Sequence, residues 1–264
     1  MAKLLTILCL GDIIGEGGRS AIAAKLTALK AAYTVDFTIA NGENAAGGFG
    51  ITRDVANELF TVGIDAITSG NHIWKSKDVF AMIAEEKRLL RPFNYPEGAP
   101  GNGFTVFTVG EYKIGVLNLL GRTFMDPVDC PFRRGAHAVR LIQRETNIII
   151  VDFHAEATAE KQALGYHLDG TVSAVVGTHT HVQTADEHIL PKGTAYMSDL
   201  GMCGGEFSII GMKKDPALKR FLTYLPHKFE VEREQPMING CVIRIDADTG
   251  RAAGIERVLV RHGQ

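Results

Sequence analysis

The sequence has no excess of basic residues. Its 28 lysines and arginines face 30 aspartates and glutamates, giving a formal net charge of −2 at pH 7. Proteins that bind duplex nucleic acid use a basic surface to displace counterions. The charge balance therefore argues against a duplex-binding protein.

Cysteine is also scarce, with four residues in 264. These residues, Cys9, Cys130, Cys203 and Cys241, are far apart and form no C-x-x-C pair, and three of the four lie within or beside apolar runs. This pattern excludes a disulfide scaffold and a zinc site built from cysteines. It predicts buried free thiols in a reducing cytosol.

No apolar run approaches the roughly 18 residues that a membrane helix requires. Lys3 followed by Leu4–Leu10 resembles the beginning of a signal peptide. The run passes directly into Gly11-Asp12, however, with no small-x-small cleavage site. We therefore interpret Leu4–Leu10 as a buried strand and expect a cytoplasmic protein without a membrane partner.

The phosphate-binding fingerprints of two nucleotide-binding classes are missing. The glycine-rich stretch Gly15–Ser20 ends in serine where G-x-G-x-x-G/A needs glycine or alanine. No G-x-x-x-x-G-K-[ST] is present. These absences exclude a dehydrogenase of the dinucleotide-binding type and a P-loop nucleotidase.

The first third of the chain repeats one pattern three times: an apolar strand, a polar loop and an amphipathic helix. The strands are predicted at Leu4–Leu10, Phe37–Ala40 and Ala66–Ser69, and Thr52 is placed to cap the second helix. This alternation is typical of a layered α/β protein whose functional loops follow the carboxyl ends of its strands.

The rest of the chain predicts a mixed sheet system. Phe104–Val109 and Lys113–Leu119 have the alternation of a β-hairpin. Further strands are predicted at Asn147–Asp152, Val172–Val176, Thr194–Met197, Lys228–Glu232, Gly240–Ile245 and Ile255–Val260, and a helix near Pro216–Tyr224. No repeat or linker interrupts the pattern, so we expect one domain spanning residues 1–264.

Two histidines two residues apart, His179 and His181, follow the strand predicted at Val172–Val176. In an extended segment such residues face the same side, and two imidazoles aimed at one point are good metal ligands. The pair alone also fits an ordinary polar loop.

Four other predicted strand ends carry residues that bind metals. They are Asp12, Glu43-Asn44, Asn71-His72 and His154. Each has an alternative explanation, since Asp12 could cap a helix and Glu43 could belong to a solvated turn. Together they exceed what one ion needs, and they suit two ions about 3.5–4 Å apart bridged by a carboxylate.

These motifs resemble those of the calcineurin-like metallophosphoesterases. The superfamily's strand-end motifs correspond here, in order, to Gly11-Asp12, Asn41–Asn44, Gly70–His72, His154 and Gly177–His181. The amino-acid sequence around Asn41–Asn44 and His154 is similar to that of the bacterial YmdB-like branch. The resemblance covers essentially the whole chain and implies an α/β sandwich of two mixed β-sheets flanked by helices.

The resemblance also implies a ligand set. Asp12, Glu43, Asn44 and His181 would hold one ion, and Asn71, His154 and His179 would hold a second that shares Glu43. Two positions depart from the superfamily pattern: Ile14 stands where D-x-H has histidine, and the second acid is glutamate rather than aspartate. Asn44 would replace the missing histidine as a ligand.

The activity implied is hydrolysis of a phosphodiester, with a 2′,3′-cyclic nucleotide as substrate. A hydroxide bridging the two ions would attack phosphorus, and His72, which is no ligand, would protonate the leaving oxygen. The branch suggests iron, although manganese and zinc also suit these donors.

Two alternatives stay open, a phosphomonoesterase and a nucleotide-responsive regulator with little turnover. Also open are assembly into a homo-oligomer, a phosphate contact by Arg122, orientation of His154 by Glu156, and base stacking on Phe49 or Trp74.

Overall fold

The computed structural model describes residues 3–263, in which two six-stranded sheets pack face to face between helices. The helices are α1 (Gly15–Tyr33), α2 (Arg53–Thr61), α3 (Val79–Glu85), α4 (Pro131–Ile142), α5 (Thr158–Leu168) and α6 (Lys214–Thr223), with a short 3-10 helix at Ile73–Lys75. The strands are β1 (Leu4–Ile13), β2 (Phe37–Asn41), β3 (Ala66–Thr68), β4 (Phe104–Val109), β5 (Tyr112–Leu120), β6 (Ile149–His154), β7 (Ala174–Thr178), β8 (His188–Ile189), β9 (Ala195–Met197), β10 (Met202–Gly205), β11 (Pro236–Asp246) and β12 (Ala252–Val260).

Both sheets are mixed, as the sequence predicted. The first has the order β12-β11-β10-β1-β2-β3. In it β1, β2 and β3 run parallel to one another, and β11 runs antiparallel to both β1 and β12. The second has the order β4-β5-β6-β7-β9-β8, with a parallel centre and antiparallel edges. The predicted fold class is confirmed.

Apolar side chains fill three layers. One cluster lies between the sheets and includes Ile7 of β1 and Ile150 of β6. A second packs helices α1, α2 and α3 on the first sheet, and a third packs α4 and α5 on the second. Strands buried on both faces read as continuous apolar runs, which is why β1, β6 and β7 were recognisable.

The parallel strands of both sheets end at one edge of the sandwich. Asp12 of β1 lies beside Asn41 of β2, while Leu120, His154 and Thr178 are neighbours at the ends of β5, β6 and β7. This edge is where ligand sites of open α/β sheets form.

Several local predictions were wrong. β1 continues through Ile13, beyond its predicted end at Leu10, and α1 begins at Gly15 with Ile14 as its N-cap, so the polar loop predicted between the first strand and helix is replaced by strand and helix. Asp12 therefore does not cap α1. Lys228–Glu232 forms no strand and makes only a single bridge from Val231 to Met212.

Other expectations agree with the structure. Thr52 caps α2 by accepting a hydrogen bond from the backbone N–H of Val55 at 3.4 Å. The cysteines are free, and Cys9, Cys203 and Cys241 are buried. Among residues 3–263 no helix is long and apolar enough to cross a bilayer.

Candidate metal centre

Four candidate ligand atoms crowd one point at the edge of the sandwich. Oδ1 of Asn71 and Nδ1 of His179 each lie 3.0 Å from Nε2 of His154, and Oε1 of Glu43 lies 3.1 Å from it. A ring nitrogen carries at most one proton, so it cannot donate to three acceptors. Separations near 3 Å are instead those expected between ligands of one ion with bonds of about 2.1 Å.

A second group lies on the other side of Glu43. Oε1 of Glu43 is 3.4 Å from Nδ2 of Asn44, which is 3.4 Å from Nε2 of His181. That nitrogen is 3.6 Å from Oδ1 of Asp12. The structure thus brings all seven candidate ligands together, and Glu43 stands between the two groups.

The second nitrogen of each of these three histidines meets an acceptor. Nδ1 of His154 lies 2.9 Å from the hydroxyl of Thr178, whose proton goes to Asp152. Nε2 of His179 faces Glu156 at 3.1 Å. Nδ1 of His181 donates to the carbonyl of Ile210 at 2.9 Å. These partners fix the tautomers so that an unprotonated nitrogen can face the cluster, as in metal-binding histidines.

Glycine is required at position 70 because the ring of His154 packs directly against it. A Cβ there would lie 2.1 Å from Cδ2 of His154. The ring's place in the cluster therefore depends on the backbone of the Gly70–His72 motif.

Two carboxylates accept hydrogen bonds from the backbone of the loop that carries His179 and His181. Both histidines have positive φ angles, 104° and 65°, which are uncommon for residues other than glycine. Asp12 accepts from the backbone N–H of His179 at 3.1 Å, and Asp199 accepts from that of Thr180 at 3.1 Å. Asp199 is itself paired with buried Lys161 at 2.6 Å.

Burial and the charges of neighbouring groups both shift the pKa values in this cluster, and for Glu43 and His154 the two effects oppose each other. Burial raises the pKa of Asp12 to about 6. Burial would also raise the pKa of Glu43, but His154 and His72 hold it well below its usual range. Burial opposes protonation of His154, yet Glu43 and Asp12 raise its pKa to about 9. Burial and the neighbouring His154 lower the pKa of His179 to about 3.

His72 differs from the other three histidines. Its Nδ1 lies 2.8 Å from Oδ1 of Asn44 and 3.3 Å from Oε1 of Glu43, and its backbone N–H donates to Glu43 at 2.8 Å. Its Nε2 has no hydrogen-bond partner among residues 3–263, and the side chain is 24% exposed. This nitrogen is free to meet a substrate.

Position 14, where the superfamily pattern has histidine, provides no ligand. Ile14 is fully buried and packs against Gly204 and Gly211. Asn44 lies in the cluster instead, as the sequence comparison with the superfamily implied.

One partner that the sequence left open is excluded by the structure, and other partners were missed. Glu156 pairs with His179 and not with His154. Thr178 and Asp152, which orient His154, were given no role from the sequence, because Thr178 reaches His154 only through the pairing of β6 with β7.

The residues outside the cluster that the sequence left open as substrate contacts lie in different environments. Glu160 binds the backbone N–H of Arg122 but not its side chain, which is exposed at the same edge. Trp74 stacks on Phe80. Phe49 is 46% exposed and meets the ring of His72 edge-on at 5.1 Å, so it does not belong to the core.

The donor set fits divalent or trivalent ions. Oδ1 of Asp12 is buried and accepts no hydrogen bond within the described residues. Glu43, His154 and His179 each offer an atom within 4.8 Å of the others. A cation held among these groups would balance the buried carboxylate charge.

Comparison with known proteins agrees with this geometry. The family described as YmdB-like protein matches residues 8–258. A Bacillus subtilis protein named 2′,3′-cyclic-nucleotide 2′-phosphodiesterase is 47% identical over 256 residues, covering 97% of each chain.

Two solved structures are also similar along their whole length. A Mycoplasma pneumoniae protein described as a novel phosphatase has a TM-score of 0.93 at 35% identity, covering 99% of this chain and 95% of its own. A hypothetical protein from Thermus thermophilus has a TM-score of 0.91 at 40% identity, covering 98% and 100%. The chain therefore belongs to the YmdB-like family, within the metallophosphoesterase type of fold that its motifs predicted.

Proposed function

We propose that this protein is a metal-dependent phosphodiesterase that hydrolyses 2′,3′-cyclic nucleotides at a centre of two ions. The observation that carries the proposal is the convergence of three acceptor atoms within 3.1 Å of Nε2 of His154. The name of the Bacillus subtilis relative, 2′,3′-cyclic-nucleotide 2′-phosphodiesterase, supports the choice of substrate.

Two overlapping sets of residues would hold the ions. Asp12, Asn44 and His181 form one set, and Asn71, His154 and His179 form the other. Glu43 lies between them and would bind both. Mixed oxygen and imidazole donors suit iron, manganese or zinc, and we favour iron on the family resemblance.

Ions bound there would supply Lewis acidity, activating water as a nucleophile near neutral pH and neutralising charge on the phosphoryl oxygens. Hydrolysis of the 2′ ester forms a new P–O bond from water and breaks the bond to the ribose O2′. The departing oxygen needs a proton. Nε2 of His72 is free of protein partners and is our candidate donor, while Asn44 and Glu43 fix the ring through Nδ1.

A phosphomonoesterase is the second candidate, because a Mycoplasma pneumoniae relative 35% identical over 267 residues is named a putative phosphatase/phosphodiesterase. The regulator alternative predicts binding without turnover.

One product analysis separates the three. Metal-loaded protein is incubated with 2′,3′-cyclic AMP and, separately, with 3′-AMP, and products are resolved by chromatography. The proposal predicts 3′-AMP from the first substrate and little phosphate from the second. Phosphate release from 3′-AMP at a comparable rate would indicate a phosphomonoesterase, and the absence of any product would favour the regulator.

A further inference from the structure

Helix α4 carries a row of basic side chains on its exposed side. Arg133, His137 and Arg140 are four and three residues apart within the helix, so they share one face, and all three are exposed. Among residues 3–263 neither arginine forms an ion pair. Seven residues of helix place the two arginines about 10 Å apart along its axis, far enough to hold two separate anionic groups.

The acidic residues that border this row face a different arginine. Glu97 and Asp129 lie 3.7 Å and 3.8 Å from the guanidinium of Arg134. Arg133 also stands in the first turn of α4, which contains no acidic residue, and the helix macrodipole disfavours a positive charge there. Stability of the helix therefore does not account for the row.

Aromatic rings accompany the cations. His167 of α5 is exposed and meets the ring of Phe132 edge-on at 5.6 Å. Both rings line a concavity of about 820 Å³ together with Arg133, His137 and Arg140. Cations that hold phosphates and rings that stack on bases are the combination that binds single-stranded nucleic acid. Aromatic rings in such a surface favour a nucleic acid over an acidic peptide.

The row begins close to the candidate metal centre. Leu120, at the end of β5, is paired with His154. The side-chain amide of Asn94 donates both to the carbonyl of Leu120 at 2.7 Å and to that of Asp129 at 2.9 Å. Because α4 starts two residues after Asp129, the end of the helix that bears Arg133 is the end nearest to the metal centre.

We propose that the substrate is the 3′ end of a single-stranded RNA that carries a 2′,3′-cyclic phosphate. Arg133, His137, Arg140 and His167, which we call the α4 surface, hold the nucleotides that precede this end. The inference rests on the proposed function, and it names the molecule to which the cyclic phosphate is attached.

The chemistry of the cyclic phosphate agrees with an RNA chain as its source. The group forms when a 2′ hydroxyl of RNA attacks the adjacent phosphodiester, so it arises at the 3′ end of a strand. Hydrolysis adds water, breaks the bond between phosphorus and O2′, and leaves a 2′ hydroxyl and a 3′-phosphate. The net charge of −2 argues against binding of a duplex, but a single strand needs only this local row of cations.

Turnover of two substrates by the full metal-loaded chain tests the inference. One substrate is 2′,3′-cyclic AMP, and the other is an adenosine hexaribonucleotide that ends in a 2′,3′-cyclic phosphate. We expect kcat/KM to be about tenfold higher for the hexamer, through a lower KM, and this advantage to shrink as salt is added. Arg133→Glu combined with Arg140→Glu should abolish the advantage and leave hydrolysis of 2′,3′-cyclic AMP unchanged.

Lys87→Glu is the control, since Lys87 is an exposed cation that follows α3 in the helical layer of the first sheet. It should keep the preference for the hexamer. All three substituted side chains are exposed, so the core is unaltered, and circular dichroism of each variant checks the fold. Fluorescence anisotropy of a labelled hexamer that ends in a 3′-phosphate measures binding without turnover and should rank the variants in the same way.

Equal kcat/KM for the two substrates, or a preference that the double variant retains, would overturn the inference and leave the proposed function standing. Loss of the preference in Lys87→Glu would also overturn it, because the effect would not be specific to α4. Hydrolysis of neither substrate would refute the proposed function and with it the role of RNA as substrate. A hexaglutamate peptide that displaces the labelled hexamer at equal concentration would identify an acidic peptide as the ligand instead.

Discussion

At the scale of single residues, one nitrogen atom separates His72 from the three other histidines of the centre. His154, His179 and His181 each use one nitrogen in the cluster and satisfy the other with an acceptor. His72 makes its contacts to Asn44 and Glu43 through Nδ1 and leaves Nε2 free. Since both contacts of Nδ1 are to acceptors, Nε2 would carry a proton for a leaving group only when the ring is an imidazolium.

His72→Asn should therefore keep the metal content and lose turnover, because an asparagine amide can replace Nδ1 but not Nε2. We expect kcat for 2′,3′-cyclic AMP to fall about 10²–10⁴-fold. The defect should be smaller for a nitrophenyl diester, whose leaving group departs as an anion. Steady-state kinetics on both substrates with metal analysis checks this, and equal defects would refute the proton-donor role.

Thr178 is expected to tune metal affinity through His154. Thr178→Val removes the acceptor that faces Nδ1 of His154 at 2.9 Å while keeping the shape of the side chain. Loss of such a partner typically costs about 10–100-fold in metal affinity. Thr38→Val is the matched control, since that buried strand hydroxyl has no partner in the described chain. Chelator competition that gives both variants the affinity of the wild type would contradict the assigned role.

Metal binding should depend on pH in a defined direction. Without an ion the pKa of His154 is raised to about 9, because Glu43 and Asp12 outweigh the effect of burial. At pH 7 an incoming ion must displace that proton, and this cost falls as pH rises toward 9. We expect affinity to increase about tenfold per pH unit from 7 to 8.5. Calorimetry in buffers of different ionisation enthalpy measures the released proton, and an affinity independent of pH would be inconsistent with this account.

The seven candidate ligands and His72 could be selected from the sequence because each follows or ends an apolar strand, where a polar or metal-binding side chain contrasts with the apolar residues before it. The sequence could not predict which acceptor orients each ring. Thr178, Ile210 and Asp152 become partners through the pairing of β6 with β7 and through a loop about 30 residues away, and neither depends on local sequence.

At the scale of elements, the loop between β7 and β8 is held by a buried ion pair beneath it. Lys161 of α5 and Asp199, which follows β9, are 3% and 1% exposed, and Asp199 also accepts from the N–H of Thr180. The pair connects a helix and a strand end to the loop that bears two candidate ligands.

Lys161→Met should destabilise the protein by about 3–5 kcal/mol, since it leaves the charge of Asp199 buried and unpaired. Adding Asp199→Asn should restore part of this loss. Lys113→Met, which breaks the exposed pair with Glu145, should cost less than about 1 kcal/mol. Urea unfolding of the three variants measures these differences. A cost for Lys161→Met no larger than that for Lys113→Met would show that the buried pair does not hold the loop.

Element prediction succeeded where burial leaves a continuous apolar run and failed where it does not. β8 has two exposed residues, and β10 is the glycine-rich sequence Met202–Gly205, so neither has a strand pattern. Lys228–Glu232 has the alternation of a strand but finds no neighbouring strand to pair with beyond one bridge. In all three segments, whether a strand forms depends on pairing with residues that are distant in the sequence.

At the scale of the whole molecule, both ends of the chain contribute to the same core. The cluster between the sheets contains Leu5 and Ile7 from the start and Ile243 and Ile245 from the end. We therefore propose that residues 1–264 form a single domain, in which the edge that carries the candidate metal centre is built from both sheets. Because the candidate metal centre lies where the two sheets meet, strand ends that are distant in the sequence can contribute to one ligand set.

The most direct test of the two-ion centre is a metal titration of the activity. Protein confirmed to be metal-free is titrated with Mn²⁺ while hydrolysis of 2′,3′-cyclic AMP is followed. We expect no hydrolysis at the start and a plateau at about two equivalents of tightly bound ion. Glu43→Ala should give no plateau over the same range, because both ions lose a ligand. Full activity of the metal-free protein, or a plateau at one equivalent that Glu43→Ala leaves unchanged, would contradict the account.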